Sequence, residues 1–322
     1  MKRALIYGIL ASFFFAFTHV FNRSMHLSGG YWMWSASLRY LATLPFLAAI
    51  VWRERGFRRL FQEIGQNMGP WFLWSTVGFG LFYASLTYAS QFGTSWFVSA
   101  SFQITIVAGA IMSPLFGQTL PWKNLTMSVL ILAGVFVLQL STAFTAGGGE
   151  AAGTSWRVLM PILIAAICYP LGNRKMMIIC PPEISTSQRV FGMTLCSLPF
   201  WLILSAIAWT RSGPPSTGQL LQSTIVGLFA GVIATILFFK ATGLVRKQPK
   251  QLALIEATQS GSVVFSTLGG ILILNDHLPS ILGFFGILLI ITGMVGGSLI
   301  SVAASPEMHS RLDEQGAKTL EK

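Results

Sequence analysis

An all-α integral membrane protein, with ten transmembrane helices arranged as two inverted five-helix repeats, is the fold class this sequence predicts, and three observations predict it. Of its 322 residues 53% are hydrophobic and only 10% charged, with a mean hydropathy of +0.66, far from the balance of a soluble domain. Apolar runs near the ~20 residues a helix needs to cross a bilayer recur along the whole chain. Basic residues gather in every second gap between those runs.

In chain order the spans are expected near 4–22, 31–52, 69–90, 94–116, 124–143, 156–173, 187–209, 219–240, 250–274 and 279–303. Residues 1–143 make the first repeat, 144–155 the connecting loop and 156–303 the second repeat, and 304–322 form a polar tail. The opening Met1-Lys2-Arg3 ahead of an apolar run has the look of a signal peptide. That run, however, ends at His19-Val20-Phe21-Asn22-Arg23 without a small-residue cleavage pattern, so it is kept as a mature helix. Alternate gaps from the N-terminus hold Lys2, Arg3, Arg53, Arg55, Arg58, Arg59, Lys123, Arg174, Lys175, Arg246, Lys247 and Lys250, whereas the opposite set holds Arg23, Arg157 and Arg211. This asymmetry places both termini in the cytoplasm and requires an even number of crossings.

Several classes of function are excluded by what is missing. Three cysteines and four histidines are scattered without ligand spacing, so neither a metal nor any other cofactor is expected. The net charge of +11 lies in the gaps between apolar runs rather than on one soluble face, which argues against nucleic acid as a partner. No GxxxxGK[ST] stretch is present, so an internal ATPase is not expected.

The second half of the chain echoes the first. Asn22-Arg23 at the end of the first run matches Asn173-Arg174 at the end of the sixth, and Ser37-Leu38-Arg39 matches Ser187-Gln188-Arg189. Leu44-Pro45-Phe46 matches Leu198-Pro199-Phe200, Ala100–Gln103 aligns with Glu256–Gln259, and Leu120-Pro121 matches Leu278-Pro279. Five runs per half is an odd number, so the second repeat inserts upside down, the arrangement of alternating-access carriers with a site near the midplane.

With these features the sequence resembles the drug/metabolite transporter superfamily, most closely its multidrug-resistance efflux branch, over roughly residues 4–303. The resemblance implies an exporter of small organic molecules in the cell inner (plasma) membrane, its central cavity lined by spans one, three, four, six, eight and nine. Small multidrug members use an acidic residue in their first span for proton exchange. Here the matching stretch, Phe13 to Val20, offers His19 and no carboxylate.

Glu256 is the acidic residue well inside an apolar run, about 10 Å from the start of its span at 1.5 Å per residue. It is either the coupling residue, with protons as the coupling ion, or half of a buried pair with Lys240. Gln259, on the same face, has a repeat partner in Gln103, and the two amides are placed to bind a substrate from both sides or each other. Small and hydroxyl residues beside them, Ser95 and Ser99 in one span and Thr267 and Gly270 in the other, read as close-packing helix interfaces. His19 is the second coupling candidate. Tyr83 and Tyr169 are candidates to offer ring faces to a substrate. Arg39, Arg189, Asn22 and Asn173 are expected to act structurally or in gating, capping helix ends and orienting the repeats.

Together these residues predict a secondary, non-ATP carrier for small amphipathic compounds or metabolites, and not an enzyme. The alternative is a membrane-embedded enzyme acting on a lipid-linked substrate, which needs clustered catalytic groups that the sequence does not bring together.

Overall fold

The computed structural model describes residues 2–117, 122–145, 149–245, 255 and 257–303, and among these there is no β-strand. The first helices are α1 (Lys2–Leu27), α2 (Trp32–Arg53), α3 (Phe57–Gln66) and α4 (Met68–Ser75). A π-helical turn, Thr76–Leu81, leads into α5 (Phe82–Ala89), followed by α6 (Ser95–Phe102), α7 (Ile104–Ile111) and α8 (Trp122–Thr145). The second half holds α9 (Gly149–Ile179), α10 (Thr186–Cys196), α11 (Leu198–Ser212) and α12 (Thr217–Val226). A second π-helical segment, Gly227–Ala234, precedes α13 (Thr235–Val245), and after a 3-10 turn at Thr258–Ser260 come α14 (Gly261–Leu274) and α15 (Ile281–Ala303). Both α8 and α9 reach into the 144–155 stretch expected as a loop.

Among the described residues five helices are long and apolar enough to cross a membrane: Lys2–Leu27, Trp32–Arg53, Trp156–Ile179, Thr217–Thr242 and Ile281–Ile300. Thr186–Cys196 and Leu198–Ser212, bent by 43° where they join, make a sixth if counted as one crossing. Ser95–Ile111, Thr126–Thr142 and Thr258–Leu274 are apolar but shorter, and the run 68–89 is interrupted by its π turn. Length alone therefore stops short of the ten crossings expected, because breaks within the apolar runs divide them.

Local chemistry explains several helix ends. Gly29, at φ 79°, ends α1 in the left-handed region that a Cβ disfavours, and the Gly30 N–H closes back on the Met25 carbonyl at 2.8 Å. At the start of α10, Ser185 and Gln188 exchange side-chain and backbone bonds of 3.2 Å each, a capping box. The short α3 is amphipathic. Its Leu60 and Ile64 are buried in a cluster with Val51, Trp71 and Phe191, while Arg58 and Arg59 stay in solvent.

Helix packing is reciprocal between the two halves. The first helix, α1, packs on the Gly227–Ala234 segment, α13 and α14, while α9 packs on the Thr76–Leu81 turn, α5 and α7. Helix α2 lies against α10, α11 and α12. Helices α8 and α15 pair along their lengths through Gly134, Gly286 and Gly293, where an added Cβ would stand 2.7–2.9 Å from a backbone carbonyl of the facing helix. Hydroxyl contacts join α6 to α14: the Ser266 hydroxyl donates to Ser99 at 3.1 Å, and the Ser95 hydroxyl donates to the Ser266 carbonyl at 3.2 Å.

Candidate functional site

A cavity of about 720 Å³ lies between the two sets of helices, within the range that holds one drug-sized molecule. Six of the candidates line it: His19 from α1, Arg39 from α2, Gln103 at the break between α6 and α7, Tyr169 and Asn173 from α9, and Gln259 in the 3-10 turn before α14. Gln103 and Gln259 thus meet the same space, although no hydrogen bond joins them. The Gln103 amide donates to the Ser99 carbonyl at 3.0 Å. Phe15, Phe79, Phe82, Phe102 and Tyr40 supply apolar walls.

Arg39 is held by aromatic rings rather than by a carboxylate. Its guanidinium carbon sits 3.9 Å from the centre of the Tyr83 ring and 5.1 Å from that of Tyr40. Tyr40 in turn stacks on Trp201 at 4.6 Å and 13°. Such a shelf stabilises a guanidinium while leaving part of its N–H edge to meet other partners. Buried polar atoms without a hydrogen-bond partner among the described residues include Arg39 Nη1, His19 Nδ1 and Gln259 Nε2, all on cavity-lining residues.

Tyr83 takes a different place from the one expected. It is fully buried and stands behind Arg39, where its hydroxyl donates to Asn22 Oδ1 at 3.0 Å. Asn22 completes that buried group through a 3.5 Å contact to the Thr87 hydroxyl. Asn173 donates to the Tyr169 carbonyl one turn earlier at 2.8 Å. Arg189 is half-buried and does not line the cavity, and Lys240 is exposed. Glu256 lies outside the described residues.

At the end of the molecule away from Ala4, a group that sequence reasoning missed ties the helix ends together. Asp276, in the turn between α14 and α15, is buried and accepts from the Ser95 N–H at 3.0 Å and from the Ser95 hydroxyl at 2.8 Å. Its carboxylate therefore caps the first turn of α6, where the helix dipole favours negative charge. Arg23, at the end of α1, reaches the other carboxylate oxygen at 3.9 Å and donates to the Gln91 carbonyl at 3.1 Å. The Trp96 indole donates to the His277 carbonyl at 3.1 Å, fastening the same turn a second time. A carboxylate in a short polar gap reads as solvent-facing, so Asp276 had no local signal. The hint was Gly270, where a Cβ would run into Ser95 and the Asp276 carboxylate.

Cavity-lining residues come from the other half of the bundle: Ser113 beyond α7, Ser128 early in α8, Arg174 late in α9, Thr194 in α10 and Ser298 late in α15. Arg174 there donates to the Ser113 hydroxyl at 3.4 Å and lies 5.5 Å from the centre of the Phe116 ring.

A family model, EmrE, described as "Putative multidrug resistance efflux transporter", matches residues 2–303. Uncharacterized protein YjlA of Bacillus subtilis (strain 168) is 44% identical over 322 residues, covering 96% of this chain and 98% of that protein. An uncharacterized 42.1 kDa protein of Shouchella clausii is 44% identical over 271 residues, covering 81% of this chain and 70% of its own length.

Proposed function

The chain belongs to the EmrE family of transporters, and on that premise we propose that it is a secondary carrier that exports small amphipathic compounds or metabolites by alternating access. The observation that carries this is the pairing of a cavity of about 720 Å³ in one half of the bundle with the Asp276–Ser95–Arg23 closure in the other. A carrier needs a central site that one end seals while the other admits substrate. In this reading both termini are cytoplasmic, the plasma membrane is the setting, and the cavity belongs to an inward-facing state.

Ten crossings as two inverted five-helix repeats are part of the same proposal. The interrupted runs 68–89, 95–111, 126–142 and 258–274 then join the longer spans as crossings shortened or bent by their own breaks. Three features support the repeat. The π-helical segments fall in the third run of each half, at Thr76–Leu81 and Gly227–Ala234. Gly117 and Asn275, each three residues before the matched Leu-Pro, are both left-handed, at φ 72° and 54°. The exchange of partners between α1 and α9 is what an inverted two-fold relation would produce.

The repeat is broken at its ends in a way that favours one state. Arg23 and Arg174 are matched, and Arg23 faces Asp276. Counting back two residues from Leu120 and Leu278, the position matching Asp276 is Gln118. One end is thus sealed by a charge-assisted group, and the sequence gives the other no carboxylate for the same task.

Reconstitution in liposomes tests the proposal. Purified protein is expected to move substrate down an imposed gradient without nucleotide, and Glu256→Gln is expected to cut or uncouple that flux at least ~10-fold while leaving the protein folded, as loss of an ionisable group in the membrane should. Collapse of folding in Glu256→Gln that Lys240→Met restores would assign Glu256 to a structural pair instead. Flux that is independent of pH and survives loss of both Glu256 and His19 would rule out proton coupling through either.

A further inference from the structure

We propose that the cavity binds amphipathic organic anions, with a carboxylate or phosphate group against Arg39 and the apolar body among the surrounding rings; this rests on the carrier reading and names its substrate class. Charge is the first reason. The described residues that line the cavity include two guanidiniums, Arg39 and Arg174, and no aspartate, glutamate or lysine. Asp276 is engaged with Ser95 and Arg23 in the opposite half of the bundle. A lipophilic cation entering this space would meet like charge in a setting where water screens little.

The second reason is a surplus of donors. Arg39 Nη1 and Gln259 Nε2 are buried N–H groups without a partner among the described residues, and both belong to cavity-lining side chains. Donors can be satisfied only by acceptors, and the oxygens of a carboxylate or phosphate are the strongest acceptors a small molecule carries. The Tyr83 ring lies against the face of Arg39, and Nη1 on its edge, without a partner among the described residues, is left for an oxyanion. Phe82, Phe102 and Tyr169, packed edge-on and tilted at 4.8–6.2 Å, then form an apolar wall for the rest of the molecule.

Thermal stabilisation of the full-length protein in detergent tests this with three probes of matched shape: naphthylacetate, naphthyl phosphate and naphthylethylammonium. Either anion is expected to raise the apparent midpoint in a saturable way and the cation is not, because a ligand that binds the native state stabilises it. The tighter of the two anions identifies the head group. Arg39→Gln is expected to weaken anion binding roughly tenfold to a hundredfold, the span of a lost charge-assisted hydrogen bond. Where that variant fails to fold, Gln259→Glu puts a negative charge at the cavity without disturbing the ring shelf, and the same loss is expected. The preference is also read in Glu256→Gln, where it should persist.

Stabilisation by the cation equal to or above that of the anions overturns the inference, as does unchanged anion binding in both Arg39→Gln and Gln259→Glu, or an anion preference seen only in Glu256→Gln. Proteoliposome flux separates this from the carrier proposal. Cation flux without anion binding rejects the anion site and keeps the carrier, whereas anion binding without any flux keeps the site and rejects the carrier.

Discussion

Replacing Asp276 with asparagine is expected to open the sealed end of the bundle. Asparagine keeps one oxygen for the Ser95 N–H but removes the charge that faces Arg23 and that suits the first turn of α6. Arg23 is partly open to solvent, with 18% of its side chain exposed, so its loss of a counter-charge costs less than in a dry core. A penalty of about 1–3 kcal/mol on the sealed state is expected, which shifts the population of the open state by roughly fivefold to a little over a hundredfold. The readout is the rate at which a membrane-impermeant maleimide, added from the side opposite the termini, labels Ser99→Cys in a background lacking Cys168, Cys180 and Cys196. Ser99 is fully buried one turn beyond Ser95, so labelling requires the closure to part. Asp276→Glu should label at an intermediate rate, and equal rates in all three proteins would show that the carboxylate does not seal this end.

Gly172→Ala is expected to be the most damaging small substitution in the helix contacts. A Cβ on Gly172 would run into the Cα and backbone nitrogen of Gly78 and lie 2.8 Å from the Trp74 carbonyl oxygen. All three are backbone atoms, so no rotamer change can relieve the clash, and α9 must move away from the Thr76–Leu81 turn. Overpacking of this kind costs about 1–3 kcal/mol, with the upper end expected where only backbone can yield. Because α9 also carries Tyr169, Asn173 and Arg174, the wall of the cavity would shift with it. Gly78→Ala should be milder, since its nearest obstacle, the Gly172 Cα, is 3.0 Å away. Apparent melting temperature in detergent measures both, and the reverse ranking would show that this contact does not set the helix spacing.

Much of the cavity was legible in the sequence because polar groups in apolar runs are costly and must face something. His19, Gln103 and Gln259 stood out on that ground and line the cavity, and Asn173, expected to act structurally or in gating, lines it as well. Arg39 was expected to cap or orient a helix and instead meets the same space, held by Tyr83 and Tyr40. Tyr83 was expected to offer its ring to a substrate, and that ring face is taken by the guanidinium. Periodicity shows which residues share a helical face but not which face looks inward. That depends on the π-helical segments, the interruption at Gln103 and the 43° bend between α10 and α11.

By itself the sequence determined that the chain is helical and belongs in a membrane, since its hydropathy, its basic gaps and its family match follow from residue identities alone. Only the tertiary structure decided that Asp276 caps α6 at Ser95, that Arg39 faces a cavity without a carboxylate partner among the described residues, and that Gly78 meets Gly172. The physical reason is range. Hydropathy and charge act on each residue against its solvent, whereas Ser95 and Asp276 lie 181 residues apart and are joined only when the helices pack closely enough for one carboxylate to cap another helix.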